Sequence, residues 1–100
     1  MRPIHIAKLD KARPVLVLTR DTIRPHLSRV SIAPITSTVR GISTEVPVGP
    51  GNGLDHESVV SCDNIQTIHK DLLGRHLGFL LPHQETLLAE AIRIAFDLDY

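Results

Sequence analysis

Apolar residues in this chain recur mostly at a spacing of two, in short runs broken by proline, glycine and charge. Only near the C-terminus does the spacing change to three and four. Ile4-His5-Ile6 alternates and predicts a short opening strand. Asp10-Lys11-Ala12 reads as a tight connection to a second strand, Arg13-Pro14-Val15-Leu16-Val17-Leu18-Thr19, whose continuous Val/Leu run suits burial on both faces. Asp21 to Ser28 predicts a loop, interrupted at Arg24-Pro25 because a residue before proline avoids helical geometry. A third strand follows from Val30 to Ile35 and closes on the hydroxyl pair Thr36-Ser37.

Ile42, Thr44, Val46 and Val48 alternate with Ser43, Glu45 and Pro47, which predicts a half-exposed strand with Pro47 at a sheet edge. Gly49-Pro50-Gly51-Asn52-Gly53 predicts a flexible hairpin connection. Ser58 to Cys62 reads as another strand, and Ile65 to Ile68 either continues it or starts the next. Asp71-Leu72-Leu73-Gly74 predicts one helical turn ended by glycine. Leu77, Phe79 and Leu81 alternate as a last strand. Leu88, Ala91, Ile92 and Ala95 have helical spacing, with Pro82 and Glu85 suited to the helix start. The order predicts a mainly β chain with a C-terminal helix, folded as a small, partly open barrel.

One hundred residues form one domain, spanning 1–100, with a modest core. That core is aliphatic, since Phe79, Phe96 and Tyr100 are the only aromatics. No apolar run reaches bilayer-spanning length, and the N-terminus carries no signal-peptide core. The lone cysteine, Cys62, forms no internal disulfide, so a reducing cytoplasm is the expected location. Net charge is zero, yet it is unevenly spread. Residues 1–50 hold eight basic against three acidic side chains, and the second half holds three against eight. The halves thus carry +5 and −5, which either forms an anion-binding face or is mixed away on folding.

Candidate chemistry narrows quickly. The six histidines lack the convergent spacing of a zinc site, so no metal and no cofactor is expected. Cys62 lies in an apolar strand, where cysteine behaves as a small buried hydrophobe rather than a nucleophile. Neither Ser58 nor Ser61 sits in a glycine-framed elbow. The Gly49–Gly53 segment lacks the Lys-Ser/Thr ending of a phosphate loop. Arg13 and Thr36 remain. If their strands pair antiparallel, the two fall at the same end, and a fixed cation beside a hydroxyl suits a phosphate.

Arg13-Pro14 with its apolar strand, Ala33-Pro34-Ile35-Thr36-Ser37, and Ser58 through Ile68 together resemble the MazF/PemK toxin family. Gly78-Phe79-Leu80 and the helix from His83 to Asp97 extend the resemblance over nearly the whole chain. It implies an SH3-like barrel that forms a homodimer and cuts single-stranded RNA (messenger RNA) at specific sequences without a metal. It also implies that Arg13 is the catalytic arginine and Thr36 the catalytic hydroxyl. Lys11, Ser37, Arg40, Asn64 and Gln66 would contact RNA, with Arg20 a further phosphate contact. The products would carry a 2′,3′-cyclic phosphate and a 5′-hydroxyl.

A cognate MazE-like antitoxin with an acidic, disordered tail is the implied protein partner, and no membrane is involved. Ile92, Phe96 and Leu98 read either as dimer surface or as ordinary core. The family's long, glycine-rich loop between the first two strands is here reduced to Asp10-Lys11-Ala12, which leaves the proton acceptor unassigned. A non-catalytic SH3-like binding module, a topoisomerase-poisoning toxin of the same fold and a metal-dependent nuclease are the competing readings. The scarcity of aromatics argues against the first, the second would not need the Arg13–Thr36 pair, and the third wants clustered carboxylates.

Overall fold

The computed structural model describes residues 1–99. Seven strands and one helix follow in the order β1 (Pro3–Lys8), β2 (Ala12–Val17), β3 (Arg29–Thr36), β4 (Glu45–Val48), β5 (Ser58–Ser61), β6 (Gln66–His69), β7 (Leu73–Phe79) and α1 (Pro82–Ala95). Every strand pair is antiparallel. Strand order across the sheet is β4-β5-β3-β2-β1-β7, with β6 also on β3. β3 is the shared strand. Its first half pairs with β6, its middle with β2, and its last two residues with β5. The sheet therefore turns about β3 into a partly open barrel.

Two apolar clusters follow from the alternation along these strands. Ile4, Leu16, Ile35, Val46, Val60 and Leu80 form the larger one, which Leu88 and Ala91 of α1 seal. Val15, Val17, Val30, Ile32 and Ile68 form the smaller, on the opposite face of β2 and β3. β2 is thus buried on both sides, as its unbroken Val/Leu run predicts. Pro47 lies on β4, an outer strand of the sheet, where a missing N–H costs little.

Several local expectations are corrected. Ile42 to Thr44 lies outside β4, because the Glu45 N–H turns back to the Ile42 carbonyl at 3.1 Å, making a turn of Ser43-Thr44, while the Glu45 carboxylate accepts the N–H groups of Arg40, Gly41 and Ile42. Gly74 caps no helix. The helical turn is a 3₁₀ turn at Lys70–Leu72, and Gly74 lies inside β7, where a Cβ would sit 3.3 Å from the Ile6 carbonyl. That strand ends at Phe79, short of Leu81. β2 ends at Val17, and the Thr19 hydroxyl instead accepts the Ser31 N–H at 2.8 Å. Arg24–His26 forms a 3₁₀ turn with Pro25 in its second position. Ser58–Ser61 and Gln66–His69 are separate strands, divided by a 3₁₀ turn at Cys62–Asn64.

The Gly49–Gly53 segment is not a flexible connection. Asn52 is 2% exposed. Its Nδ2 donates to Gln84 Oε1 at 2.7 Å and to the Phe79 carbonyl at 2.9 Å, while its Oδ1 accepts the Gly49 N–H at 3.0 Å. Gln84 of α1 in turn donates to the Pro47 carbonyl and accepts the Leu81 N–H. This fully partnered polar pair ties the segment to the start of α1. Among the described residues no helix is long and apolar enough to cross a membrane.

Candidate active site

β2 and β3 pair with Val15 opposite Pro34, Leu16 opposite Ala33 and Val17 opposite Ile32. The paired residues stop at Val15 and Pro34; the same register carried two residues further brings Arg13 and Thr36 to one end, and both line the same two cavities. Alternation puts Arg13 on the face of Val15 and Val17, and Thr36 on the face of Ile32 and Pro34. Both therefore extend the smaller apolar cluster at one end of the barrel. Thr36 also sits opposite Val59 on β5, and Glu45 on β4 sits opposite Ser61. Side chains from four neighbouring strands thus converge on one face.

The convergence forms a cavity of about 610 Å³, lined by Arg13, Thr36, Arg40, Glu45, Asn64 and Gln66 among others. Lys11 and Ser37 do not line it. They border a second cavity of about 430 Å³, which shares Arg13 and Thr36 with the first. Arg20 lies apart from both, beside Met1, Arg2 and Glu85. The expected cation-rich face is only partly realised, because Asp10, Glu45 and Asp63 line the main cavity alongside Arg13 and Arg40.

Arg13 is paired through one nitrogen only. Its Nη2 donates to Asp10, with N···O separations of 3.1–3.2 Å to the two carboxylate oxygens. Its Nε is shielded and has no partner. The guanidinium therefore keeps unused donors in a planar fork suited to phosphate oxygens. Thr36 Oγ1 accepts the Thr38 N–H at 3.1 Å, so its own proton is free to be donated. Asn64 Nδ2 donates to Ser61 Oγ at 2.7 Å, which orients the amide and leaves its carbonyl oxygen free.

Two groups escaped the sequence reading of this site. Glu45 was read only as a strand residue. Its carboxylate holds the Arg40, Gly41 and Ile42 N–H groups at 2.9–3.4 Å and so fixes the loop that carries Arg40. The signal, an acid shortly after an Arg-Gly-Ile loop, is too common to stand out. Asp10 was noted, but its pairing with Arg13 depends on the turn that joins β1 to β2. Cys62 is buried, and burial first, then the Asp63 carboxylate, pushes its thiol up to about 11, which leaves it a poor nucleophile. Among the described residues no group of three or more His, Cys, Asp or Glu side chains is placed to hold a metal ion.

Residues 3–96 match the PemK-like, MazF-like toxins of type II toxin–antitoxin systems. The chain belongs to that family. It is 67% identical over its full length to the endoribonuclease MazF3 of Mycobacterium tuberculosis, covering 97% of that protein. Among solved structures, the Mycobacterium tuberculosis toxin MazF-mt6 superposes with a TM-score of 0.97 at 67% identity, over 99% of this chain and all of that one. A mycobacterial endoribonuclease solved with its cognate antitoxin gives a TM-score of 0.88 at 30% identity, over 98% of this chain and 94% of that one. Membership of this toxin family sets aside the non-catalytic binding module.

Proposed function

We propose that this toxin cleaves single-stranded RNA through the RNA's own 2′-hydroxyl, without a metal ion, at a phosphate held between Arg13 and Thr36. As a MazF-type toxin of a toxin–antitoxin system, the chain is an endoribonuclease. The observation that supports the assignment is that Arg13 and Thr36, at the same end of β2 and β3, line both cavities. In-line attack places extra negative charge on the non-bridging oxygens of a phosphorane. The unused donors of Arg13 and the free Thr36 proton stabilise that charge more than they stabilise the ground state. The products are a 2′,3′-cyclic phosphate and a 5′-hydroxyl.

Recognition follows from the linings. Arg40, Asn64 and Gln66 read the edges of an unpaired base in the main cavity, and Lys11 and Ser37 hold the backbone beyond the cut. With three aromatics in the chain, hydrogen bonding outweighs stacking. A cognate antitoxin masks this surface. Its acidic, disordered tail pairs with Lys11 and Arg40, neither of which has an ion pair among the described residues. A homodimer is the working form, with exposed Phe96 and Leu98 on its surface, whereas Ile92 packs on the core. Messenger RNA as substrate places the toxin in the cytoplasm.

The test is a mixed-sequence single-stranded RNA, incubated with the purified chain in excess chelator, with both new ends mapped. Defined cuts that leave 5′-hydroxyl and cyclic phosphate ends are expected. Random cuts, 5′-phosphate ends or loss of activity in chelator would overturn the reading. Glu45 offers a second check. Glu45→Ala frees the loop that carries Arg40 and should raise KM about tenfold with kcat nearly unchanged. It should also cost about 1.5–3 kcal/mol of stability, because charge-assisted bonds to backbone are lost. Glu45→Gln keeps an acceptor and should restore most of the affinity.

A further inference from the structure

The mechanism so far provides no proton for the departing 5′-oxygen, and the cavity beyond the Arg13–Thr36 pair has the geometry to provide one. This step rests on the 2′-hydroxyl reading above. In-line displacement puts the attacking and leaving oxygens on opposite sides of phosphorus. Arg13, Thr36 and Thr38 line both cavities, so a phosphate held between Arg13 and Thr36 borders the two. The nucleoside whose base meets Arg40, Asn64 and Gln66 brings its 2′-hydroxyl from the main cavity. The 5′-oxygen then leaves toward the second cavity.

That second cavity is lined on its polar side by Lys11, Ser37, Thr38, Asp55, His56 and Ser58. Near neutral pH an aspartate is a base, and an ammonium group or an aliphatic hydroxyl is a weaker acid than an imidazolium. Imidazole is the side chain that changes charge between about pH 5 and 8. His56 is also well anchored. Thr36 lies opposite Val59, and the same register carries Ser58 alongside Ser37. The Ser58 hydroxyl donates to the His56 carbonyl at 3.1 Å and so fixes the turn just before β5. The imidazole itself has no partner among the described residues, so both ring nitrogens are free. Lys11, Arg13 and Asp55 are the charged groups that line the cavity with it.

We propose that His56 is the general acid that protonates the 5′-oxygen leaving group. As the 2′-oxygen–phosphorus bond forms, the 2′-hydroxyl proton passes to water. As the phosphorus–5′-oxygen bond breaks, its electron pair takes a proton from the His56 imidazolium, and the neutral imidazole is reprotonated by solvent. Atoms and charge balance without a further reactant.

The experiment compares two RNA oligonucleotides that carry the mapped cut site. One has the natural 5′-oxygen and the other a bridging 5′-sulfur, whose thiolate leaves without protonation. His56→Ala and His56→Gln should cut the oxygen substrate about 10²–10⁴-fold more slowly than the parent protein. On the sulfur substrate both should cut at close to the parent rate. Thermal melting and affinity for an oligonucleotide methylated at the attacking 2′-oxygen should be unchanged, since His56 is exposed. An equal loss on both substrates, or no loss on either, overturns the assignment. Failure of the parent protein to form the cyclic phosphate would instead sink the 2′-hydroxyl reading itself.

Discussion

Arg13→Ala is expected to lower kcat on single-stranded RNA by about 10²–10³-fold while the protein stays folded. On the proposed mechanism the effect falls mainly on kcat, because the guanidinium's unused donors meet the extra charge that the phosphorane carries over the ground-state phosphodiester. Stability should hardly move. Asp10, the one partner of Arg13, is 74% exposed and returns to water when the arginine is removed. Deleting the shielded Nε even removes a donor that has no partner. Thr36→Val should cost a comparable factor, and Thr36→Ser should recover much of it by restoring the hydroxyl. Because both groups act on one phosphate, the double variant should lose less than the product of the single losses. Cleavage and melting curves on the same preparations decide the matter. Near-parental activity in both single variants would remove Arg13 and Thr36 from the reaction.

The largest loss of stability is expected from Gly53→Ala or Gly78→Ala. The two glycines let the Pro50–Asn52 turn and the end of β7 cross at backbone distance. A Cβ on Gly53 would stand 2.0 Å from the Leu77 carbonyl oxygen, and one on Gly78 would stand 2.1 Å from the Asn52 carbonyl oxygen. Both obstacles are main chain, so no rotamer change relieves them. Gly53 also has φ of +86°, which disfavours any side chain. Strain and overpacking together should cost about 3–5 kcal/mol, a large share of the total stability of a domain this size. The melting midpoint should fall by more than about 10 °C. Gly51→Ala is the control, since its nearest atom is Leu81 Cδ1 at 3.9 Å, and it should stay within about 0.5 kcal/mol. If Gly53→Ala melts like the parent protein, the crossing is drawn wrongly.

Local propensity yields to competing contacts at three places. Ile42 to Thr44 has strand alternation, but the Glu45 N–H turns back to the Ile42 carbonyl and the Glu45 carboxylate takes the donors just before it. Gly74 looks like a helix stop, yet it is used for close approach to β1. The Gly49–Gly53 segment has the composition of a mobile loop, but Asn52 finds a buried partner in Gln84, 32 residues away. At Gly74 and Asn52 a group distant along the chain, invisible to local propensity, overrides the local preference, whereas at Ile42 the competitor is the nearby Glu45.

Local pattern by itself determined the succession of short strands, the helix from Pro82 and the burial of β2 on both faces, and with the family resemblance it put Arg13 and Thr36 forward as the proposed reactive pair. Alternation and helical spacing are set by each residue's neighbours along the chain, so they can be read without a fold. Tertiary structure alone decided that Lys11 and Ser37 belong to a different cavity from Arg40, Asn64 and Gln66, that Glu45 fixes the loop bearing Arg40, and that His56 lines a cavity shared with the pair. Those facts depend on strand register and on which strands become neighbours, and register joins residues whose separation along the chain carries no periodic signal.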